Sequence, residues 1–154
     1  MTGRGSAESV SFFKYNLIRM ISIKNYLKLI RIKHWIKNVF VFAPIFFSGD
    51  FFNISVLWDA SLVFISFCFI SSAIYCINDT IDINSDKLHP IKKNRPLASG
   101  SISLTRGIVL CVILFSLSAF ISINVSFLSF AFIFTYFLIN IAYSLLLKTY
   151  PIID

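Results

Sequence analysis

The sequence predicts an all-α integral membrane helical bundle with about four transmembrane helices. Three observations predict it. Of 154 residues, 57% are hydrophobic and only 14% are charged, whereas a soluble domain carries roughly 25% charged residues. Mean hydropathy is +0.81. From Gly107 to Leu147 there is no Lys, Arg, Asp or Glu, a run long enough for two spans of about 20 residues each.

The elements follow in order. Residues 1–23 lack the compact apolar core and small-residue cleavage site of a signal peptide. They are expected to form a poorly ordered extension, with Met20 as a second candidate start. Residues 24–37 are basic and amphipathic: Lys24, Lys28, Arg31 and Lys37 alternate with Leu27, Ile30 and Trp35. That pattern predicts an interfacial lead-in, with His34 interfacial and Trp35 in the aromatic belt. A first span is expected over 30–48, kinked at Pro44, which neighbouring helices make tolerable. A second covers 56–78, where Ser66, Ser71, Ser72 and Ala73 permit close helix packing. The third and fourth cover 104–123 and 127–147, joined by a short hairpin at Asn124, Val125 and Ser126.

Charge placement supports this layout. Lys and Arg fall at 4–37, 87–106 and 148, and the connections at 49–56 and 124–126 carry none. Four spans and a cytoplasmic N-terminus put every basic segment, and both chain ends, on the inside. The net charge of +7 is therefore a topology and lipid-headgroup signal. Nucleic-acid binding is excluded, because the aromatics lie in the spans and not among the basic residues. A transporter is disfavoured, because the apolar cores lack the charges usual on ion pathways. Cys68, Cys76 and Cys111 have no metal-ligand spacing and read as packing residues.

Chemistry concentrates in the cytoplasmic loop expected at 79–103. Three of the seven acidic residues, Asp79, Asp82 and Asp86, fall within eight positions. On one continuous helix, their spacing places all three within about 60° of arc. Grouped carboxylates suit Mg²⁺, which takes oxygen ligands and shares them with substrate phosphates. Asn78 adds an amide oxygen, and no Cys/His cluster suggests zinc. Lys87, His89, Lys92, Lys93 and Arg95 follow at once, suited to phosphate oxygens that a metal leaves unneutralised. Pro90 and Pro96 stiffen the loop, and Gly100 ends it. Helix capping by the Asp residues and a plain topology signal from the Lys and Arg residues stand as the alternative.

The run Asn78-Asp79-x-x-Asp82-x-x-x-Asp86 resembles the first aspartate-rich motif of the UbiA superfamily of polyprenyl transferases. His89-Pro90-x-Lys92-x-x-Arg95-Pro96-x-Ala98-x-Gly100 continues the match. So do Arg31-x-Lys33-His34-Trp35-x-Lys37-Asn38 and Tyr143-Ser144-x-x-Leu147-Lys148. Within the superfamily the pattern is most similar to the decaprenyl-phosphate phosphoribosyltransferase branch. The resemblance implies a Mg²⁺-dependent transfer of 5-phosphoribose from phosphoribosyl diphosphate to a polyprenyl phosphate, with release of diphosphate. It implies Asp79, Asp82 and Asp86 as catalytic metal ligands. Asn78, Arg31, Lys37, Lys92, Arg95, Tyr143 and Lys148 are implied to bind substrate. His89 is implied either to donate to phosphate or to shape the loop before Pro90. Implied partners are the polyprenyl lipid, the diphosphate-bearing donor and membrane lipids of a bacterial plasma membrane.

The resemblance covers residues 26–154, about half of the nine-helix UbiA-type fold, and lacks that fold's second acidic motif. The expectation is a truncated transmembrane domain over 24–154, completed by a missing C-terminal half or by a homo-oligomer. Aromatic prenyl transfer from an isoprenoid diphosphate and a non-catalytic membrane fragment are the alternatives.

Overall fold

The computed structural model describes residues 22–147. The extension expected at 1–23 lies outside them except for Ser22 and Ile23, which already belong to helix α1 (22–29). Lys148 lies outside them as well. Every regular element among the described residues is helical. After α1 come a 3-10 helix over Ile32–Phe42 and α2 over Ala43–Ser48. Then follow α3 over Ile54–Ile81, α4 over Ile83–Leu88, α5 over Leu104–Val125 and α6 over Phe127–Ala142. A π-helical turn, Tyr143–Leu147, closes the described chain.

Three of the four expected spans are long apolar helices: Ile54–Ile81, Leu104–Val125 and Phe127–Leu145. The first is not a regular α-helix. It is the 11-residue 3-10 helix followed by the 6-residue α2. At about 2.0 Å per 3-10 residue and 1.5 Å per α residue, the composite is roughly 31 Å long, close to the hydrocarbon thickness. Pro44 does not kink a continuous helix: it sits in the first turn of α2, where its missing N–H costs nothing.

α3 is the central element, and the 3-10 helix, α5 and α6 all pack on it. It starts at Asn53, whose Oδ1 accepts the Ser55 N–H at 3.2 Å, an N-cap worth about 1 kcal/mol. The 3-10 helix runs antiparallel to α3 in a fixed register. Arg31 meets Asp79, Trp35 Nε1 donates to Ser72 Oγ at 3.0 Å, Asn38 Nδ2 donates to Ser71 Oγ at 3.3 Å, and Phe42 meets Phe64. Trp35 thus faces the bundle, edge-on to Phe69, and does not serve the aromatic belt. Its indole N–H has a serine to bond, and that decides its direction.

The α3–α5 contact is built on small hydroxyls. Ser66 Oγ donates to the Ser118 carbonyl at 2.7 Å, and Ser118 Oγ returns the bond to the Ser66 carbonyl at 2.9 Å. Ser66, Ser118 and Ser122 are fully buried. Where lipid is as apolar as leucine, close backbone approach and such bonds drive association. Below this contact Leu29, Ala73, Cys76, Leu97, Ile102 and Leu114 form one core, and Ile70, Ile74 and Ile133 form another. The three cysteines are free, and Cys68 and Cys76 are buried, as packing residues should be. The α5–α6 hairpin is tighter than expected. Ser126 alone links the two helices, and its Oγ caps α6 by accepting the Ser129 N–H at 3.0 Å.

Replacing Ser118 by leucine should force α3 and α5 apart and break both reciprocal bonds. We expect a loss of about 2 kcal/mol, read as an earlier unfolding midpoint in detergent titration. Ser116→Leu, on the exposed face of the same helix, should leave the midpoint unchanged.

Candidate functional site

The site forms where α3 ends. Asp79 occupies its last turn, α4 follows after Asp82, and a loop returns through a short 3-10 turn, Lys92–Asn94. Asp79 and Asp86 are each only 2% exposed. Burying a carboxylate costs several kcal/mol unless it is paired, and both are paired. Arg31 Nη2 donates to Asp79 Oδ1 at 2.7 Å. Arg95 Nη1 donates to the same oxygen at 3.2 Å and to Asp86 Oδ2 at 2.7 Å. One guanidinium nitrogen therefore bridges the two buried acids. Arg31 Cζ also lies 4.5 Å from the centroid of the Tyr75 ring, a cation–π contact that fixes its plane.

The backbone serves this arrangement. Arg31 has φ 52° and ψ 49°, a left-handed conformation that a side chain makes costly. It turns the chain from α1 into the 3-10 helix and delivers the guanidinium to Asp79. His89 shapes the loop: its Nδ1 accepts the backbone N–H groups of Ile91 at 3.1 Å and Lys92 at 3.2 Å. Of its two expected roles, the structural one is the one seen. Gly100, at φ 74°, completes the return toward α5.

A cavity of about 360 Å³ opens beside Asp79. Lys28, Arg31, His34, Lys92, Asn94 and Arg95 line it with Asp79. The structure thus brings together Asp79, Asp86, Arg31, Arg95 and Lys92. Among the described residues, however, no three acidic, Cys or His side chains group as a metal-binding cluster. The single-stripe expectation for Asp79, Asp82 and Asp86 assumed one continuous helix. Instead α3 stops at Ile81, Asp82 is its C-cap, and α4 begins at Ile83. The junction keeps i→i−4 bonds on both sides, Asp82 N–H to the Asn78 carbonyl at 2.9 Å and Asp86 N–H to the Asp82 carbonyl at 2.8 Å.

Other expected residues fall apart from the cavity. Lys37 is exposed, about 12 Å along the 3-10 helix from Arg31 by its rise per residue. Tyr143 is 45% exposed and is not among the cavity's lining residues. Its neighbour Ser144 is buried and donates to Asn78 Oδ1 at 2.6 Å, tying the end of α6 to the acidic motif. Sequence reasoning gave Ser144, Lys28 and Asn94 no role in the site, and assigned His34 to the interface. The antiparallel register was the missing information, since it places His34 5.5 Å from Tyr75 and on the cavity wall.

The fold and site define a helical membrane protein with paired buried acids and a basic cavity at one helix mouth. The chain belongs to the UbiA prenyltransferase family, a family of transferases, whose model matches residues 39–154. A nodulation protein, NoeC, of Azorhizobium caulinodans is 33% identical over 80% of this chain and 40% of its own length. A decaprenyl-phosphate phosphoribosyltransferase of Corynebacterium glutamicum is 39% identical over 67% of this chain and 30% of its own. A solved structure concerning digeranylgeranylglyceryl phosphate synthase in membranes superposes with a TM-score of 0.72 at 28% identity, over 84% of this chain and 45% of that one. The chain thus spans less than half the length of these relatives.

Arg95→Ala should take the arginine away from buried Asp86 and leave Asp79 with Arg31. We expect a loss of about 2 kcal/mol, measured as a lower thermal unfolding midpoint. Arg95→Ala combined with Asp86→Asn should recover part of it.

Proposed function

We propose that this chain carries the donor half-site of a Mg²⁺-dependent transferase. The reaction moves 5-phosphoribose from phosphoribosyl diphosphate to a polyprenyl phosphate and releases diphosphate. The observation that carries this reading is the pair of buried carboxylates bridged by Arg95 beside a basic cavity. The basic residues gather at the site's end of the bundle, which supports a site and chain ends facing the cytoplasm at a bacterial plasma membrane.

The residues fit magnesium. The arginines contact Oδ1 of Asp79 and Oδ2 of Asp86, and carboxylate oxygens are the ligand type that Mg²⁺ takes. Mg²⁺ is commonly held by one or two carboxylates together with substrate phosphates. Asp79 and Asp86 would hold it, and Asp82 adds negative charge at the mouth. When bound, the ion neutralises charge on the departing diphosphate. Arg31 and Arg95 are at present counter-ions to the acids. With Mg²⁺ held by Asp79 and Asp86, the guanidiniums of Arg31 and Arg95 would donate to phosphate oxygens, which they match as a fork. Lys28 and Lys92 attract the donor, and Ser144 holds the Asn78 amide in place.

This exchange couples the two ligands, because each releases the other's partners. Titration calorimetry should find diphosphate binding at least about tenfold tighter with Mg²⁺ than without it, and the converse. Equal affinities would refute the exchange.

The reaction is tested in membranes containing the protein, supplied with labelled phosphoribosyl diphosphate, polyprenyl phosphate and Mg²⁺. Lipid-linked phosphoribose is the expected product, reduced about 100-fold or more by Asp79→Asn, as when a charge-stabilising group is removed. Asp82→Asn should also lower it. The likeness to a digeranylgeranylglyceryl phosphate synthase of Sulfurisphaera tokodaii, 31% identical over 67% of this chain, favours an isoprenoid diphosphate as the second candidate donor. Product from that donor alone would replace the phosphoribosyl reading. No product from either would make this chain a non-catalytic fragment or one requiring a partner.

A further inference from the structure

A second cavity, about 400 Å³, lies on the other side of the turn at Arg31. Lys24, Lys28, Arg31, Lys33 and His34 line it, and Leu27 and Ile32 give it an apolar wall. No carboxylate lines it, unlike the Asp79 cavity. The concavity exists because Arg31 is left-handed: the reversal sets Lys24 and Lys28 of α1 near Lys33 of the 3-10 helix. Leu27 and Ile32 are 44% and 40% exposed, so the wall faces outward. The two cavities share Lys28, Arg31 and His34.

We infer that this second cavity binds a phosphate monoester borne on a membrane lipid. Three lysines, Lys24, Lys28 and Lys33, with no acid lining the cavity, suit a headgroup approaching two negative charges, while Arg31 stays bonded to Asp79. The exposed leucine and isoleucine suit the start of an apolar tail. A free phosphate would make no use of that wall. A surface selecting anionic lipids in general needs exposed lysines but no concavity. The shared residues put the lipid phosphate next to the donor cavity without entering the Asp79–Arg95–Asp86 cluster. The inference depends on the transferase reading only for the identity of the lipid tail.

The test uses the full chain in phosphatidylcholine nanodiscs, with spin-labelled phosphatidic acid as probe and neither donor nor Mg²⁺ present. An immobilised lipid component is expected. Lys24→Gln combined with Lys33→Gln should weaken its binding about tenfold, the loss of roughly one charge-assisted bond. Lys24→Arg with Lys33→Arg should retain it. Lys87→Gln combined with Lys93→Gln, which removes an equal charge outside both cavities, should leave it unchanged. Three results would each overturn the inference: unaltered binding in the double glutamine variant, equal immobilisation of phosphatidylglycerol, and full displacement by inorganic phosphate. Because no transfer is measured, lipid binding can survive an inactive chain, and activity can survive its absence.

Discussion

The structure depends on one buried carboxylate, that of Asp79. It sits in the last turn of a helix that is otherwise apolar for most of its length, where an unpaired charge is not tolerated. Its two arginines come from opposite directions in sequence. Arg31 lies 48 residues before it and Arg95 16 residues after it. Satisfying Asp79 therefore fixes the lead-in segment and the return loop onto the same helix end. Asp86 is drawn in through Arg95, and the cavity is the space these charges leave between them. A structural requirement, neutralising a buried acid, and a chemical capacity, gathering cations where a phosphate can reach them, are met by the same side chains.

Much of the fold was legible because lipid imposes simple demands. Long uncharged runs have few alternatives to helices in a membrane, so α3, α5 and α6 could be placed from Val56, Leu104 and Phe127 onward to within a few residues. The small residues Ser66, Ser72 and Ala73 were correctly assigned to packing. The geometry of residues 32–42 was not legible. Three residues per turn and 3.6 residues per turn give similar hydrophobic patterns over so short a stretch. The tighter winding is settled by long-range partners such as Ser72 for Trp35, which local sequence does not reveal.

The site was legible in its composition and less so in its assembly. Asp79 and Asp86 meet at Arg95, and Arg31 and Lys92 line the cavity with Asp79. Among the described residues no three acidic, Cys or His side chains group as a metal cluster, since two of the acids, Asp79 and Asp86, are turned onto Arg95, a long-range contact that periodicity does not describe. Ser144 was given no role of its own and His34 was assigned to the interface for another reason. Each gains its place through a contact with α3, and neither carries a local signature of that contact.

The winding of the segment before Pro44 has a mechanical consequence. Between Arg31 and Phe42 the chain advances about 22 Å at its 3-10 rise, which equals the climb of α3 from Phe64 to Asp79 at 1.5 Å per residue. The segment works as a ruler cut to that span. Rewound as an α-helix it would be shorter by about 5.5 Å, and with Phe42 anchored the guanidinium would stop well short of its acid. The stretched coil and the ion pair at its tip therefore hold each other: neither length nor charge could change alone without the other giving way.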